Sequence, residues 1–535
     1  MAVAVLMAAL PSLSLIAQAP EPSEQGGLFW WNDRVFYQIF VRSFYDSDGD
    51  GIGDFQGMIE KLDYLNDGDP TTDTDLGVTG IWLMPINPSP SEHGYDVTDY
   101  FAVNPDYGTM NDFQDFLDAA HERGIAVIID LVLNHSSSEH PWFQASAAGD
   151  PTYADYYVWA DENPGFSGPD RQTVWHKNGD RWYYGVFWSG MPDLNYANPA
   201  VTAEMYAVVD FWLDDVGVDG FRVDAVKYVV EEGRALENTR ATHDWLKDFH
   251  AYLRSVNPNA LLVGEIWDST ELVTPYVGGE MDIAFEFDFA GALVRASNFR
   301  QVQTLLRGLQ PALDAYPEGQ FATFAVNHDM DRYITQAGGN YDGAKLAAYA
   351  LLTVPGVPFI YYGEEIAMEG RRTLNTDNER RRPMQWDGTP TAGFTDGSPW
   401  FALNDNAAEI NVAAQETDPN SVFNAYRTLI HLRNDTPALR TGVMNVVASS
   451  NRRTLTFTRS TPEQTVMVIL NMDDQPTDSF LLSGTLPMTA LSEVRVLLGD
   501  GEPAAPTLAA DGVFTDWQPV PDLDAYEILV VELIP

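Results

Sequence analysis

The feature that most limits the fold is a recurrence of short, apolar, β-rich runs, each ending in polar residues. The runs are Val35–Phe44, Val78–Ile86, Ile125–Leu133, Val218–Val223, Leu261–Ile266, Met281–Phe287, Phe321–Val326 and Val357–Tyr362. Several are apolar on both faces, as strands of a covered parallel sheet are. Helix-like stretches separate most of them: Asn111–Arg123, with Asn111 as N-cap and Gly124 past its end, Ala200–Val216, Thr242–Val256 and Asp342–Leu352. Eight strands alternating with helices predict an α/β fold, a (β/α)8 TIM barrel.

Two excursions interrupt the alternation. The stretch 134–217 is too long for one helix, and its part rich in Trp, Tyr, Gly, Pro and Asp predicts a small domain inserted after strand three, residues 136–198. Its aromatic residues, Trp142, Tyr156, Tyr157, Trp175, Trp182, Tyr183, Tyr184 and Trp188, are expected mainly to form its core. Residues 363–420 read as a second, loop-like excursion. A helix over Val422–Asn434 closes the barrel, which is expected to occupy 28–135 and 199–437. Past Pro437 the alternating runs Thr454–Thr458, Thr465–Leu470 and Glu527–Leu533 predict a C-terminal antiparallel β-sandwich over 438–535.

Composition narrows the partners. Asp and Glu number 78 against 30 Lys and Arg, and a net charge of −48 repels nucleic acid and anionic lipid. With no cysteine there is no disulfide, thiolate metal site or cysteine nucleophile. Residues 1–19 carry no charged side chain and end in Ala17-Gln18-Ala19, which reads as a secretory signal peptide followed by a linker, 20–27. A secreted protein, extracellular or periplasmic, is expected, with no membrane association after signal cleavage, and a monomer.

Barrel enzymes carry their chemistry at the C-terminal ends of strands. Here strand three ends in Asp130-Leu131-Val132-Leu133-Asn134-His135, strand four in Arg222-Val223-Asp224, strand five in Gly264-Glu265 and strand seven in Asn327-His328-Asp329. One acidic residue at a strand end usually caps the next helix. Four strands delivering a carboxylate or histidine to one rim are not explained that way. Glycoside cleavage needs one carboxyl to attack or to activate water and a second, protonated one for the leaving oxygen, and a separation of about 5–5.5 Å gives retention. Adjacent strands lie about 4.8 Å apart, so Asp224 and Glu265 are within that reach. Arg222, two residues before Asp224, shares its side of the strand and is expected to keep Asp224 ionised. Glu265, facing Asp224 and Asp329, is expected to be raised and held protonated.

Asp46-Ser47-Asp48-Gly49-Asp50-Gly51-Ile52-Gly53-Asp54 sets alternate carboxylates around glycine turns, which suits a hard cation bound by oxygen. It starts like an EF-hand loop, but position twelve is Gly57, so a sensor of that kind is not expected. Four negative side chains in nine residues are costly without a bound cation.

Together the motifs resemble the α-amylase superfamily, glycoside hydrolase family 13. Asp130 to His135, Met191-Pro192-Asp193-Leu194-Asn195, Gly220 to Asp224, Gly264-Glu265-Ile266-Trp267, Val326 to Asp329 and Gly356 to Gly363 match the family's motifs. The resemblance implies an inserted domain B, a C-terminal β domain and a retaining double displacement. It casts Asp224 as nucleophile, Glu265 as acid/base and Asp329 as the residue that binds and distorts the sugar ring. Arg222, His135 and His328 would be their hydrogen-bonding partners. In His93-Gly94-Tyr95-Asp96 it sets Tyr95 against the bound sugar and Asp96 on its hydroxyls, and it counts Arg381 among the substrate-binding residues. The aspartate loop resembles a calcium loop of the oligo-1,6-glucosidase branch, with ligands from Asp46, Asp48, Asp50, Asp54 and the Ile52 carbonyl. Many amylases also carry a calcium site at the positions of Asn134 and Asp193.

Two branches are mixed here. Glu379 to Asp387, the calcium loop and Asn134 to Phe143 look like oligo-1,6-glucosidases and trehalose synthases. Asp224-Ala225-Val226-Lys227-Tyr228 and Met191 look like amylases and neopullulanases. In the glucosidase branch a Val after the nucleophile goes with α-1,6 bonds. Ala225 implies α-1,4, and Lys227 implies a contact to the sugar on the leaving-group side. The resemblance therefore implies a secreted α-amylase cutting internal α-1,4 bonds of starch and maltooligosaccharides. An exo-acting α-glucosidase or oligo-1,6-glucosidase is the alternative, followed by a transglycosylating relative such as trehalose synthase. Non-catalytic relatives usually lack part of the catalytic set that this chain keeps.

Overall fold

The computed structural model describes residues 28–373 and 376–535, so the expected signal peptide and linker lie outside the described residues. Eight parallel strands make the central sheet, interrupted in sequence by a small three-stranded one. In chain order they are β1 (Phe36–Ile39), β2 (Gly80–Leu83), β3 (Ala126–Leu131), the inserted β4 (Trp159–Ala160), β5 (Trp175–Asn178) and β6 (Arg181–Tyr184), then β7 (Gly220–Val223), β8 (Leu261–Gly264), β9 (Ile283–Ala284), β10 (Ala322–Phe324) and β11 (Val357–Tyr361). The spatial order β10-β11-β1-β2-β3-β7-β8-β9 is closed by a parallel bridge between Phe285 and Ala322, which makes the sheet a barrel. Every residue of these eight strands is buried, which explains their unbroken apolar sequence.

The barrel is filled rather than hollow. Phe36, Trp82, Ile128, Val263, Phe285, Phe324 and Phe359 form one interior cluster, and Phe36 stacks on Phe359 at 4.7 Å. Gly80 is required by this packing, because a Cβ there would sit 2.6 Å from the Phe36 ring. Arg433, from the last barrel helix, Val422–Asp435, donates to the carbonyls of Leu352, Val354 and Gly356. That ties the helix to the chain entering β11.

The strands are shorter than their apolar runs. After Ile39 the chain turns through a 3₁₀ segment, Val41–Ser43, and the Ser43 hydroxyl donates to the carbonyl of Arg381. The run Met281–Phe287 gives only a two-residue strand, and Phe287 already opens the helix Phe287–Phe299. The helix expected from Asn111 is capped one turn-start earlier. Thr109 and Asp112 form a reciprocal capping box around Met110–Glu122. The stretch Ala200–Val216 is an α-helix, Pro199–Asp210, that widens into a π-helical turn, Phe211–Val216.

The insert packs its own small core of Val174, Trp175, Tyr184 and Val186 with Leu236 of the barrel. Tyr156, Tyr157 and Tyr183 join the main core, whereas Trp188 is 47% exposed. Beyond residue 442 the fold is antiparallel: one sheet of five strands and one of three, packed on Met467, Ile469, Phe480, Phe514 and Leu529. Among the described residues no helix is long and apolar enough to cross a membrane.

Candidate active site

Register places the acids. Asp130 on β3 lies opposite Arg222 on β7, and Val223 lies opposite Gly264 on β8. The ladder runs one residue past the strand ends: the Asp224 N–H donates to the Leu131 carbonyl at 3.1 Å and the Glu265 N–H to the Val223 carbonyl at 3.0 Å. Arg222 is 1% exposed and donates from Nη1 to Asp130 Oδ1 at 2.6 Å and to Asp224 Oδ1 at 2.7 Å. Its Nη2 stands 3.9 Å from Glu265 Oε2. One guanidinium thus faces three carboxyl groups from three strands, lying over the Trp82 ring at 5.1 Å.

Charge then divides unequally. Burial pushes the Asp224 carboxyl above its ordinary value while Arg222 pulls it back. This corrects the simple expectation of a depressed pKa, since desolvation outweighs the cation. Burial lifts Glu265 to about 7; Arg222 opposes the rise, and the charges of Asp224 and Asp329 add to it. Because the guanidinium bonds Asp224 and only approaches Glu265, the anion is favoured on Asp224 and the proton on Glu265. The Ala225 N–H donates to Glu265 Oε2 at 2.9 Å, leaving Oε1 to carry a proton. That contact holds Ala225 in the left-handed region, φ +52°, an uncommon position for a residue with a Cβ.

Across the cavity Asp329 is 38% exposed, and its Oδ1 accepts from Arg381 Nη2 at 2.9 Å. Its Oδ2 lies 3.2 Å from His328 Nε2. Although burial works to raise it, these partners hold Asp329 well below the usual carboxylate range. Gln38 Nε2 meets His328 Nδ1 at 2.7 Å, so the ring carries its proton on Nε2, toward Asp329 and Tyr95 Oη. Burial lowers His328 to about 4 and His135 to about 3, so both are neutral near pH 7.

A cavity of about 810 Å³ is lined by Tyr95, His135, Asp224, Ala225, Lys227, Glu265, Asp329 and Arg381, together with Phe187, Trp188, Tyr228 and Trp267. Arg222 and His328 lie beneath this lining, each almost wholly buried. The Tyr95 ring stacks on His328 at 5.5 Å and so is held flat at the cavity floor. Asp96 does not line the cavity: it is 3% exposed and takes the hydroxyls of Ser89 and Ser91. Lys227 faces the cavity, yet its ammonium donates to the Trp267 carbonyl at 3.1 Å and meets Glu237 and Asp268. The sequence marks Asp130 only as a strand-end acid and gives no sign of Trp82 or Gln38; the three orient Arg222, Asp130 and His328 respectively. Asp130 stood in a quoted motif, but only the cross-strand register shows what it touches.

The aspartate loop follows β1. Asp46, Asp48 and Asp50 bring carboxylate oxygens within 4.8 Å of one another. Asp54 stands outside that group of three: its Oδ1 caps the helix Phe55–Glu60 and its Oδ2 accepts the Ser47 N–H. Burial and the charges of Asp48 and Asp46 raise Asp50. Gly51, at φ +97°, allows the close approach of Ser398, whose carbonyl would be 2.0 Å from a Cβ. Asn134 Oδ1 and Asp193 Oδ2 are buried without a hydrogen-bond partner among the described residues.

Comparison with known proteins agrees with this architecture. The family model for the α-amylase catalytic domain matches residues 38–442. "Alpha-amylase 3" of Dictyoglomus thermophilum is 38% identical over 451 residues, covering 83% of this chain and 85% of that protein. An oligo-1,6-glucosidase of Parageobacillus thermoglucosidasius is 33% identical over 530 residues, covering 83% and 91%. The crystal structure of an α-amylase from H. orenii superposes with a TM-score of 0.81 at 38% identity, covering 94% of this chain and 99% of that one. The chain belongs to the α-amylase superfamily, glycoside hydrolase family 13, and is an α-amylase-type glycoside hydrolase placed between the amylase and oligo-1,6-glucosidase branches.

Proposed function

We propose that this enzyme cuts internal α-1,4-glucosidic bonds of starch and maltooligosaccharides with retention of configuration. The observation that carries the mechanism is the side-by-side placement of Asp224 and Glu265 around Arg222. The Asp224 carboxylate attacks the anomeric carbon, and the bond to the leaving oxygen breaks as that oxygen takes the Glu265 proton. The Glu265 carboxylate then takes a proton from water, whose oxygen displaces Asp224 from the anomeric carbon. Asp329, anchored by Arg381 and His328, binds the ring hydroxyls of the reacting sugar, which lies on Tyr95 beside His135. Support for an α-1,4 glucan comes from the small Ala225 in the wall and from Trp188 and Trp267, each 47% exposed at the cavity.

Asp46, Asp48 and Asp50 suit calcium, because three converging carboxylates repel one another without a cation. The Ile52 carbonyl completes this set in the proposal, and Asp54 supports the loop from its helix cap. Calcium would neutralise the loop and lock it to the segment around Thr395, whose hydroxyl bonds Asp46. The orphaned oxygens of Asn134 and Asp193 suit a second cation. Export to the extracellular space or periplasm is supported by the uncharged leader ending at Ala19.

On soluble starch, viscosity should fall early and mixed oligosaccharides should appear, with isomaltose untouched; glucose as the sole first product, or faster cleavage of isomaltose, would show an exo-glucosidase instead. Because kcat/KM requires protonated Glu265, it should fall about tenfold per pH unit above pH ~7. Glu265→Gln should lose that limb and about 10²–10⁴-fold in rate. A wild-type profile flat to pH 9 would contradict the acid assignment. Chelation with EGTA should lower the melting temperature, with recovery in excess calcium, and Asp48→Asn should shrink the calcium-dependent shift. A melting temperature indifferent to both would remove calcium from the loop.

A further inference from the structure

The expected sugar contact on the leaving-group side was Lys227, but three protein acceptors already surround its ammonium. It gives one proton to the Trp267 carbonyl at 3.1 Å, faces Glu237 Oε2 at 3.1 Å and Asp268 Oδ2 at 3.4 Å, and is 9% exposed. An ammonium has three protons, and three protein acceptors surround it. Glu237 is the partner with spare capacity. Its side chain is 33% exposed, it lines the cavity, and its Oε1 has no protein donor among the described residues.

The backbone holds Glu237 in place from both sides. Leu236 is buried in the core of the inserted domain with Trp175 and Tyr184. Asn238 adopts a left-handed φ of +53°, donates its N–H to the Lys227 carbonyl at 2.9 Å and accepts from Tyr276 Oη at 2.8 Å. A non-glycine residue in that region persists only where its surroundings enforce it. The carboxylate between these anchors is therefore held in place, with Oε2 paired to Lys227 in a side chain that lines the same cavity as Glu265 and Trp267.

We propose that Glu237 reads the hydroxyl groups of the sugar on the leaving-group side, with Lys227 as its positioning residue. The proposal rests on the hydrolase reading above, in which Glu265 faces the leaving group.

The test compares two substrates, maltohexaose and 4-nitrophenyl α-maltotrioside, the second read only by nitrophenol release. An aryl leaving group offers no hydroxyl to Glu237. In Glu237→Ala the ratio of kcat/KM on maltohexaose to that on the aryl substrate should fall about tenfold, as for loss of one charge-assisted hydrogen bond. Glu237→Gln, nearly isosteric, should lower the ratio about threefold, and Lys227→Met should reproduce the Ala result. An unchanged ratio in Glu237→Ala and Glu237→Gln, whether both rates fall together or neither moves, overturns the proposal. A wild-type enzyme active on neither substrate would instead overturn the hydrolase reading.

Discussion

A single buried guanidinium organises the catalytic end of this barrel. Arg222 has no route to solvent, so its charge must be met by carboxylates, and those within reach are Asp130, Asp224 and Glu265. Asp130, itself pushed up to about 7 by burial, is braced by the indole of Trp82, which belongs to the barrel's aromatic filling. The packing of the interior therefore fixes the arginine, and the arginine fixes where charge resides on the rim. Stability and chemistry share one contact here, since removing Arg222 would leave buried carboxylates unmatched.

The distribution of polar partners also separates the two walls of the cavity. Asp329 is held anionic by Arg381 and a neutral histidine, while Glu265 has a backbone amide and the distant side of Arg222. The same kind of side chain thus serves as an anion on one wall and an acid on the other. Lys227 shows the converse. It is a cation at the cavity surrounded by three protein acceptors, and in the role proposed above it acts on a sugar through the Glu237 carboxylate that it pairs with.

Much of this was legible in the sequence. Eight apolar runs gave the barrel because burial on both faces leaves no room for polar alternation, and the strand ends named Asp224, Glu265, Asp329, Arg222, His135 and His328 before any geometry. What sequence could not show were contacts between distant segments. Gln38 selects the His328 tautomer from 290 residues away. Asp96 has the same residue type as Asp329, yet two serines turn it from the cavity. In the aspartate loop the resemblance implied four carboxylate ligands, and the spacing did not reveal that Asp54 also caps the next helix while the other three converge. The ends of short strands were blurred for a similar reason: Phe287 is as apolar as a strand residue, but it packs as the first turn of a helix.

The most direct test of the account is to identify the residue that becomes glycosylated. A fluorinated glycosyl fluoride that forms the glycosyl–enzyme faster than water cleaves it should leave an adduct recoverable by peptide mapping and mass spectrometry. The account predicts one sugar ester on Asp224, within the peptide that carries Arg222. An adduct on Glu265 or Asp329, or full turnover with no covalent species, would contradict it.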